Sequence, residues 1–219
     1  MLSKRAAEAI AGTIGYPSKM PGTSYGIPAV ACKLGAILAR IKGSVCHDCY
    51  ALAGNYQYPS VKIAQEKRLV GILNQEWTSA MVALLIKAHK IGKGRNGTFA
   101  KGWHRWHDSG DIQSVEHLAK ICDVAKATPK IRHWLPTREL AMAKAYIAGG
   151  GEVPTNLVIR VSATMIDGAA TAQWPTTSRV HDEKAPTGYV CPAPKQNGKC
   201  GKCRACWNPD VPQTTYAKH

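Results

Sequence analysis

The 219-residue chain has no long hydrophobic run: no segment approaches the roughly 20 apolar residues that a transmembrane helix needs. Its opening segment MLSKRAAEAIAG contains no apolar stretch of signal-peptide length. Internal repeats, low-complexity tracts and long basic runs are also missing. We therefore expect an intracellular protein without a membrane partner, in a reducing compartment where structural disulfides are rare.

Acidic residues are scarce as well. The chain has 14 Asp+Glu against 29 Lys+Arg, which gives a formal net charge of +15. A protein this basic attracts polyanions, nucleic acid above all. Because the basic residues are spread along the chain, the sequence predicts a diffuse basic surface that meets nucleic acid. The alternatives are solubility and attraction of an acidic partner.

Cysteine is the most informative residue type that is present. Seven of the eight cysteines form two sets. The N-terminal cysteine set, around VCHDCYA, consists of Cys32, Cys46 and Cys49. The C-terminal cysteine set, in CPAPKQNGKCGKCRACW, consists of Cys191, Cys200, Cys203 and Cys206. The eighth, Cys122, falls on the apolar side of a predicted helix and is expected to be a small buried residue.

The cysteine spacing favours a metal centre. Two-residue spacing lets two thiolates reach one centre from a single turn of backbone, and a run of three such cysteines is typical of iron–sulfur proteins. Structural zinc more often uses two separated pairs, or a pair with histidines. The sequence therefore predicts one or two [4Fe–4S] clusters, with zinc as the alternative metal. The two sets either form separate centres or converge on one.

The hydrophobic pattern predicts an α/β fold. Residues 1–60 are rich in Gly, Pro and Tyr, which predicts loops around the first cysteines. Helical spacing of apolar residues, including Ile63, Val70 and Leu73, predicts one long helix over 61–90, ended by residues 91–98. Strands and helices then alternate, with strands predicted at 98–106, 131–135 and 156–162, and helices at 112–127 and 137–148.

This alternation predicts a parallel sheet with covering helices. The chain is short for eight strand–helix units, so we expect a partial or irregular (β/α) barrel-like sheet, with the cysteine-rich segments at a metal site. The whole chain, 1–219, is expected to be one domain. It divides into a loop-rich cysteine segment (1–60), an α/β core (61–190) and a cysteine-rich C-terminal segment (191–219).

Polar signatures follow the predicted strands: WHRWHDSGDIQS, HWLPTRE, RVSATMID and GYVCPA. Since the carboxyl ends of parallel strands share one edge, these signatures are expected to face one cavity. Asp108 and Asp111 are candidates for general acid or base. His104 and His107 are alternatives for that role, and both are also candidate metal ligands. Alternation along the strand places His104, Trp106 and Asp108 on one face, which we expect to be the cavity face.

Arginines and tryptophans complete the candidate site. Arg138 and Arg160 suit a carboxylate or phosphate, because a guanidinium binds such groups through two parallel hydrogen bonds. Arg138 is taken as catalytic and Arg160 as cofactor-binding. Trp106 is taken as a cofactor-binding residue that stacks on a base, as Trp207 could. The alternative roles are helix caps, structural ion pairs and core packing.

The order of these motifs resembles the bacteriophage "gene product 88" family. The resemblance rests on MPGTSYGIPAVACKLG, GSVCHDCYALAGNY, RWHDSGDIQS, WLPTRE, NLVIRVSATMIDG and CGKCRACW, and it spans nearly the whole chain. It implies a phage protein made in the host cytoplasm. The family carries no assigned activity that would pass to this chain.

Two shorter resemblances bear on mechanism. VCHDCYA is similar to the Cys-x-x-Cys-Tyr-Ala segment of radical-SAM-like proteins, which implies a cluster on Cys32, Cys46 and Cys49 with one iron open to S-adenosylmethionine. Thirteen residues separate Cys32 from Cys46 here, whereas that family has three. The C-terminal cysteine set resembles an auxiliary cluster. DSGDIQ resembles a segment of tRNA-guanine transglycosylases and implies base exchange at Asp108, with Asp111 replacing a glycine.

Three functions follow as hypotheses. The first is an iron–sulfur protein acting as a radical-SAM-like or redox enzyme on or near nucleic acid. The second is a transglycosylase-like enzyme that modifies nucleic acid and carries a structural metal. The third is a non-enzymatic protein, stabilised by its metal, that binds nucleic acid or a host protein.

Overall fold

The computed structural model describes residues 2–94 and 97–218. Within them the helices are α1 (Lys4–Ala11), α2 (Leu34–Leu38), α3 (Pro59–Gly71), α4 (Trp77–Ile91), α5 (Val115–Ala127) and α6 (Leu140–Ala148). The strands are β1 (Thr23–Tyr25), β2 (Lys93–Gly94), β3 (Gly97–Thr98), β4 (Trp103–Trp106), β5 (Arg132–Thr137), β6 (Leu157–Ser162), β7 (Thr177–His181), β8 (Tyr189–Val190) and β9 (Gln213–Ala217).

Seven of these strands form one parallel sheet in the order β1-β4-β5-β6-β7-β9-β8. Strands β2 and β3 form a separate antiparallel hairpin. The predicted parallel α/β architecture is confirmed. The barrel-like part of the prediction is not, because β1 and β8 remain the two edges of an open sheet.

The two faces of the sheet are covered differently. On one face, Tyr25, Trp106 and Leu135 join the hydrophobic core, to which α4 and α5 contribute their apolar sides. On the other face, Trp134 packs edge-on against Trp207, with ring centroids 5.0 Å apart. Trp207 is buried and belongs to the C-terminal cysteine segment. That segment is therefore the cover of the second face.

The predicted helix over 61–90 is two helices. Helix α3 ends at Gly71 and α4 begins at Trp77, and between them the Asn74 side chain accepts a hydrogen bond from the Glu76 amide (2.8 Å). Helix α3 begins at Pro59, two residues before the predicted start at residue 61. The expected core residues Ile63, Val70 and Leu73 are exposed by 56%, 67% and 82%. Leu69 and Ile72 do pack with the core, and the remaining core-facing residues of the pattern lie on α4.

Other predicted boundaries move by a few residues. Helix α4 ends at Ile91 with Gly92 in a left-handed conformation, as the predicted stop requires, although residues 95 and 96 of that stop lie outside the described residues. The strand predicted at 98–106 is reduced to β4, and Ser114 caps α5 by accepting the His117 amide (3.1 Å). Helix α1 and the strands β1, β7 and β9 were not predicted.

Buried histidines form a polar chain under the core face. The Gly102 amide donates to His89 Nδ1 (2.9 Å), and Thr23 Oγ1 lies 3.1 Å from His89 Nε2 and 2.8 Å from His104 Nδ1. The Trp106 indole donates to His133 Nδ1 (3.2 Å). Burial lowers the pKa of His89 to about 4 and that of His104 well below its usual range. These rings are therefore neutral in the folded protein at pH 7.

We predict that the folded state loses stability as the pH falls from about 6.5 to 4. Burial lowers the pKa of five histidines: His89, His104, His107, His117 and His133. In the unfolded chain each titrates near 6.5, so the unfolded state binds more protons in this window. The free energy of unfolding should fall by about 1.4 kcal/mol per pH unit for each such histidine.

Asp111 offsets the effect of about one of these histidines on stability, because burial raises the pKa of its carboxyl group to about 6 and the folded state therefore binds a proton there first. Urea unfolding at pH 7, 6 and 5 measures the effect. An equal free energy of unfolding at pH 7 and pH 5 would contradict the neutral, buried state of these rings.

Candidate functional site

The N-terminal cysteine segment lies over the carboxyl ends of three neighbouring strands. Beyond β4, the Gln113 side chain donates to the Ala31 carbonyl (3.2 Å). Beyond β5, Glu139 Oε1 accepts the Leu34 amide (2.8 Å). Beyond β6, the Thr164 carbonyl accepts the Val45 amide (2.9 Å). Three of the four polar signatures thus reach one edge of the sheet together with Cys32, Cys46 and Cys49.

The thiols of this set influence one another. Burial raises the pKa of Cys32 to about 12, and negative charge on Asp111, Cys49 and Cys46 raises it further, while Arg138 lowers it. Burial also raises the pKa of Cys46, against which Arg138 acts. The charges of these five residues therefore act on one another, as is expected of side chains that belong to one site.

Gly35 leaves room between two of these thiols. A Cβ on Gly35 would lie 3.5 Å from the Cys32 sulfur and 3.7 Å from the Cys46 sulfur, and only 2.9 Å from the Cys32 Cβ. A larger residue would fill the space that both sulfurs border. Across residues 2–94 and 97–218, no group of three or more His, Cys, Asp or Glu side chains has the geometry to hold a metal ion.

The C-terminal cysteine set gathers at a second place. Burial raises the pKa of Cys200, and Cys191 and Cys203 raise it further, whereas Arg105 and Arg204 lower it. Burial raises the pKa of Cys206 to about 11, and Cys191 and Cys200 also raise it. The four thiols are thus neighbours of one another.

Tyrosine hydroxyls border this second set. The Tyr189 hydroxyl lies 3.4 Å from the Cys203 sulfur, and the Tyr216 hydroxyl lies 3.2 Å from the Cys206 sulfur. Tyr189 belongs to β8 and Tyr216 to β9, so the last two strands of the sheet hold the thiols from one side. Strand β8 ends at Val190, directly before Cys191.

Arg160 fastens the C-terminal cysteine segment to the sheet. Its guanidinium is fully buried in the middle of β6 and donates to the carbonyls of Ala205 (2.9 Å), Cys206 (3.1 Å) and Asn208 (2.9 Å). It also donates to the Thr177 carbonyl (3.2 Å). A buried charge is tolerated here because several backbone acceptors surround it. Its cofactor-binding role stays a prediction, while the contacts it makes are with backbone.

Asp111 is held firmly at the edge of the sheet. Its carboxylate accepts hydrogen bonds from the Thr137 hydroxyl (2.6 Å), the Ile112 amide (2.8 Å) and the Arg138 amide (2.9 Å). These bonds favour the charged form, but burial outweighs them and raises the pKa to about 6. An aspartate that titrates near neutral pH beside a set of thiols is suited to proton transfer.

Arg105 lies between the two cysteine sets. Its guanidinium donates to the Tyr50 hydroxyl (3.3 Å), next to Cys49, and its charge lowers the pKa of Cys200. Its Cζ lies 4.6 Å from the centroid of the Trp134 ring. Arg105 Nε and Asp108 Oδ1 are buried and have no hydrogen-bond partner among the described residues. Buried polar atoms without partners are rare and often mark functional sites.

The expected orientation of β4 is reversed. His104 and Trp106 are fully buried on the core face, and Arg105 faces the cysteine segments. The catalytic role of His104 and the cofactor-binding role of Trp106 stay predictions, but neither side chain is with the thiols. His107, directly after β4, has φ of 52°, a conformation that is uncommon for residues other than glycine.

Some residues of the site were not predicted from the sequence. Tyr50 and Tyr56 both donate to the Asp108 carbonyl (2.7 and 3.2 Å), which places the carboxylate candidate Asp108 beside the N-terminal cysteine segment. Tyr50 directly follows Cys49, and Glu139 directly follows Arg138. The signal that could have identified Tyr50 and Glu139 is that each directly follows a candidate site residue. For Arg105 the sequence offered no signal beyond its position in WHRWH.

A cleft of about 790 Å³ opens beside the N-terminal cysteine segment. Its walls include Lys33, Ile37, Arg138 and Glu139, together with Lys144 of α6. Arg138 Nε is buried and lacks a partner among the described residues. The cleft gives a ligand with anionic groups a path to Arg138.

We predict that Arg160→Met detaches the C-terminal cysteine segment. Methionine has a similar reach but no donor, so buried carbonyls lose their partners and the protein loses at least about 3 kcal/mol of stability. Urea unfolding and the rate of tryptic cleavage after Lys199 and Lys202 measure the two effects. Arg132→Met, an exposed arginine at the start of β5, is the matched control. Equal cleavage rates in the two variants would show that Arg160 does not hold the segment.

None of the described helices is both long enough and apolar enough to cross a bilayer. No curated protein matches the chain, and no solved structure does. A family model described as Gene product 88 matches residues 1–209. This confirms the family resemblance that the motifs indicated, and the chain belongs to the Gene product 88 family of phage proteins.

Proposed function

We propose that this protein binds two iron–sulfur clusters, one at each cysteine set. The observation that carries the proposal is the grouping of the thiols: the Cys32 and Cys46 sulfurs border one space at Gly35. In the other set, the hydroxyls of Tyr189 and Tyr216, on neighbouring strands, contact the Cys203 and Cys206 sulfurs. The Arg105 side chain stands between the groups. Two groups of thiols favour two centres over one shared centre.

By residue type the two cysteine sets suit such clusters, although among the described residues no three of these side chains stand at the geometry of a metal site. Iron–sulfur clusters take cysteine thiolates as their protein ligands, and four complete the ligation of a [4Fe–4S] cluster. The C-terminal cysteine set supplies four. The N-terminal cysteine set supplies three, which leaves one iron without a cysteine ligand. Zinc, which also binds thiolates, is the alternative metal at the C-terminal set.

The surrounding charges support the same assignment. Cluster-bound cysteines are thiolates, and nearby cations favour that form. Arg138 lowers the pKa of Cys32 and Cys46, and Arg105 lowers that of Cys200. Because burial keeps these thiols protonated without a metal, cluster binding would release protons. Arginine N–H groups near the sulfurs are also the kind of outer contact that tunes a metal centre.

The N-terminal cysteine set is the candidate reaction centre. A cluster there would supply one-electron chemistry or an open iron position. Arg138 would bind an anionic group of a substrate in the cleft, and Asp111 would donate or accept a proton beside it. S-adenosylmethionine, implied by the resemblance of VCHDCYA, is one candidate occupant. Its addition to the reduced protein should then change the electron paramagnetic resonance spectrum of this cluster.

We predict that Cys46→Ala and Cys203→Ala each remove about half of the bound iron, because each variant loses one of two clusters. Iron, sulfide and zinc analysis of anaerobically purified protein, with absorbance near ~400 nm, measures the loss. Cys122→Ala is the matched control: this thiol is fully buried in α5, away from both sets, and its loss should leave the iron content unchanged.

Circular dichroism establishes that each variant is folded. Loss of all iron in both folded variants would show that the two sets share one cluster. Zinc in place of iron in the wild-type protein would contradict the proposal.

A further inference from the structure

A groove of about 330 Å³ runs beside the C-terminal cysteine segment, away from the cleft at Arg138. One wall is formed by residues 16–22 and the other by Lys199, Cys200 and Arg204, with Phe99 between them. The Cys200 amide donates to the Lys19 carbonyl (2.9 Å), which fixes one wall against the other. We call this feature the basic groove.

The charge of the basic groove has one sign. Its lining includes Lys19, Lys199 and Arg204 and contains no acidic residue among those described. Lys19 Nζ would lie 3.5 Å from a Cβ on Gly198, so the lysine reaches across to the opposite wall. The surrounding segment continues the pattern, since residues 185–209 contain four basic residues and no acidic one. The groove therefore presents cations to a ligand without an acidic side chain in its described lining.

Arg204 is held in place at the rim. Its guanidinium donates to the carbonyls of Gly201 (2.8 Å) and Cys203 (2.7 Å), and its Cζ lies 5.1 Å from the centroid of the Trp103 ring. An arginine fixed in this way meets an anion without losing much side-chain freedom. The C-terminal cysteine set thus shapes one wall of the groove.

Aromatic rings lie among these cations. Tyr16 and Phe99 are half-buried with ring centroids 5.5 Å apart, and both line the groove. Grooves that combine backbone-tracking cations with aromatic rings are typical of proteins that bind single strands, because unpaired bases can stack on the rings. A base inside a duplex is already stacked and paired, so it gains nothing from such rings.

We propose that the basic groove binds single-stranded nucleic acid, with Lys19, Lys199 and Arg204 on the phosphates and a base against the Tyr16–Phe99 pair. This partner goes beyond cluster binding and does not depend on which metal the thiols hold. The link between them is Cys200, which lines the groove and belongs to the C-terminal cysteine set.

Fluorescence anisotropy with a labelled oligonucleotide of about 12 nucleotides tests the proposal. Lys19→Glu/Lys199→Glu should weaken binding about tenfold or more. It should also lower the slope of log K against log salt by about 1.4, since each lost phosphate contact on a single strand contributes about 0.7. Lys67→Glu/Lys126→Glu, the same charge change on the exposed sides of α3 and α5, should leave binding within about twofold.

A single variant and an iron analysis show whether weaker binding comes from the groove itself or from loss of a cluster. The single variant Lys19→Glu changes no residue of the C-terminal cysteine segment. It should lower the slope of log K against log salt by about 0.7. Iron content, measured on every variant, distinguishes a lost groove contact from a lost cluster. Equal weakening by the two double variants would overturn the proposal, because binding would then depend on net charge alone. Binding of a duplex of the same sequence as tightly as the single strand would also overturn it.

Discussion

The contact between Arg160 and the backbone of the C-terminal cysteine segment is the constraint on which the rest of the arrangement depends. Three donors of one buried guanidinium reach the carbonyls of Ala205, Cys206 and Asn208, and a fourth bond joins it to Thr177. The segment has little regular structure of its own. Fixed at this point, it lays Trp207 on the sheet, gathers its four thiols beside β8 and β9, and forms one wall of the basic groove.

The sheet separates two kinds of packing. One face carries an ordinary hydrophobic core with neutral histidines beneath it, whereas the other carries tryptophans, arginines and the cysteine segment. Arg105 connects the second face to the strand ends, because it contacts both Trp134 and Tyr50. The positive charge of Arg105 favours the thiolate form of Cys200, and its hydrogen bond to Tyr50 brings it next to the N-terminal cysteine set.

Much of the fold was predictable from pattern, and the exceptions have physical reasons. Alternating strands and helices predicted a parallel sheet, and parallel strands require that polar signatures such as PTRE and DSGDIQ meet at one edge. The orientation of β4 was not predictable, because each face of WHRW carries one tryptophan and one basic residue. The segment that covers the second face of the sheet is also distant in sequence. Ile63, Val70 and Leu73 follow helical spacing yet are exposed. Helical periodicity predicts an apolar face of a helix, but it does not show which element packs against that face. Arg160 looked like a ligand-binding residue because three of its four backbone acceptors lie more than 40 residues away.

The central claim is that the two cysteine sets hold two separate iron–sulfur clusters. Quantifying iron and acid-labile sulfide in the anaerobically purified wild-type protein tests it most directly. Two [4Fe–4S] clusters predict about eight irons and about eight sulfides per chain. About four of each would mean a single cluster, and zinc without iron or sulfide would contradict the account.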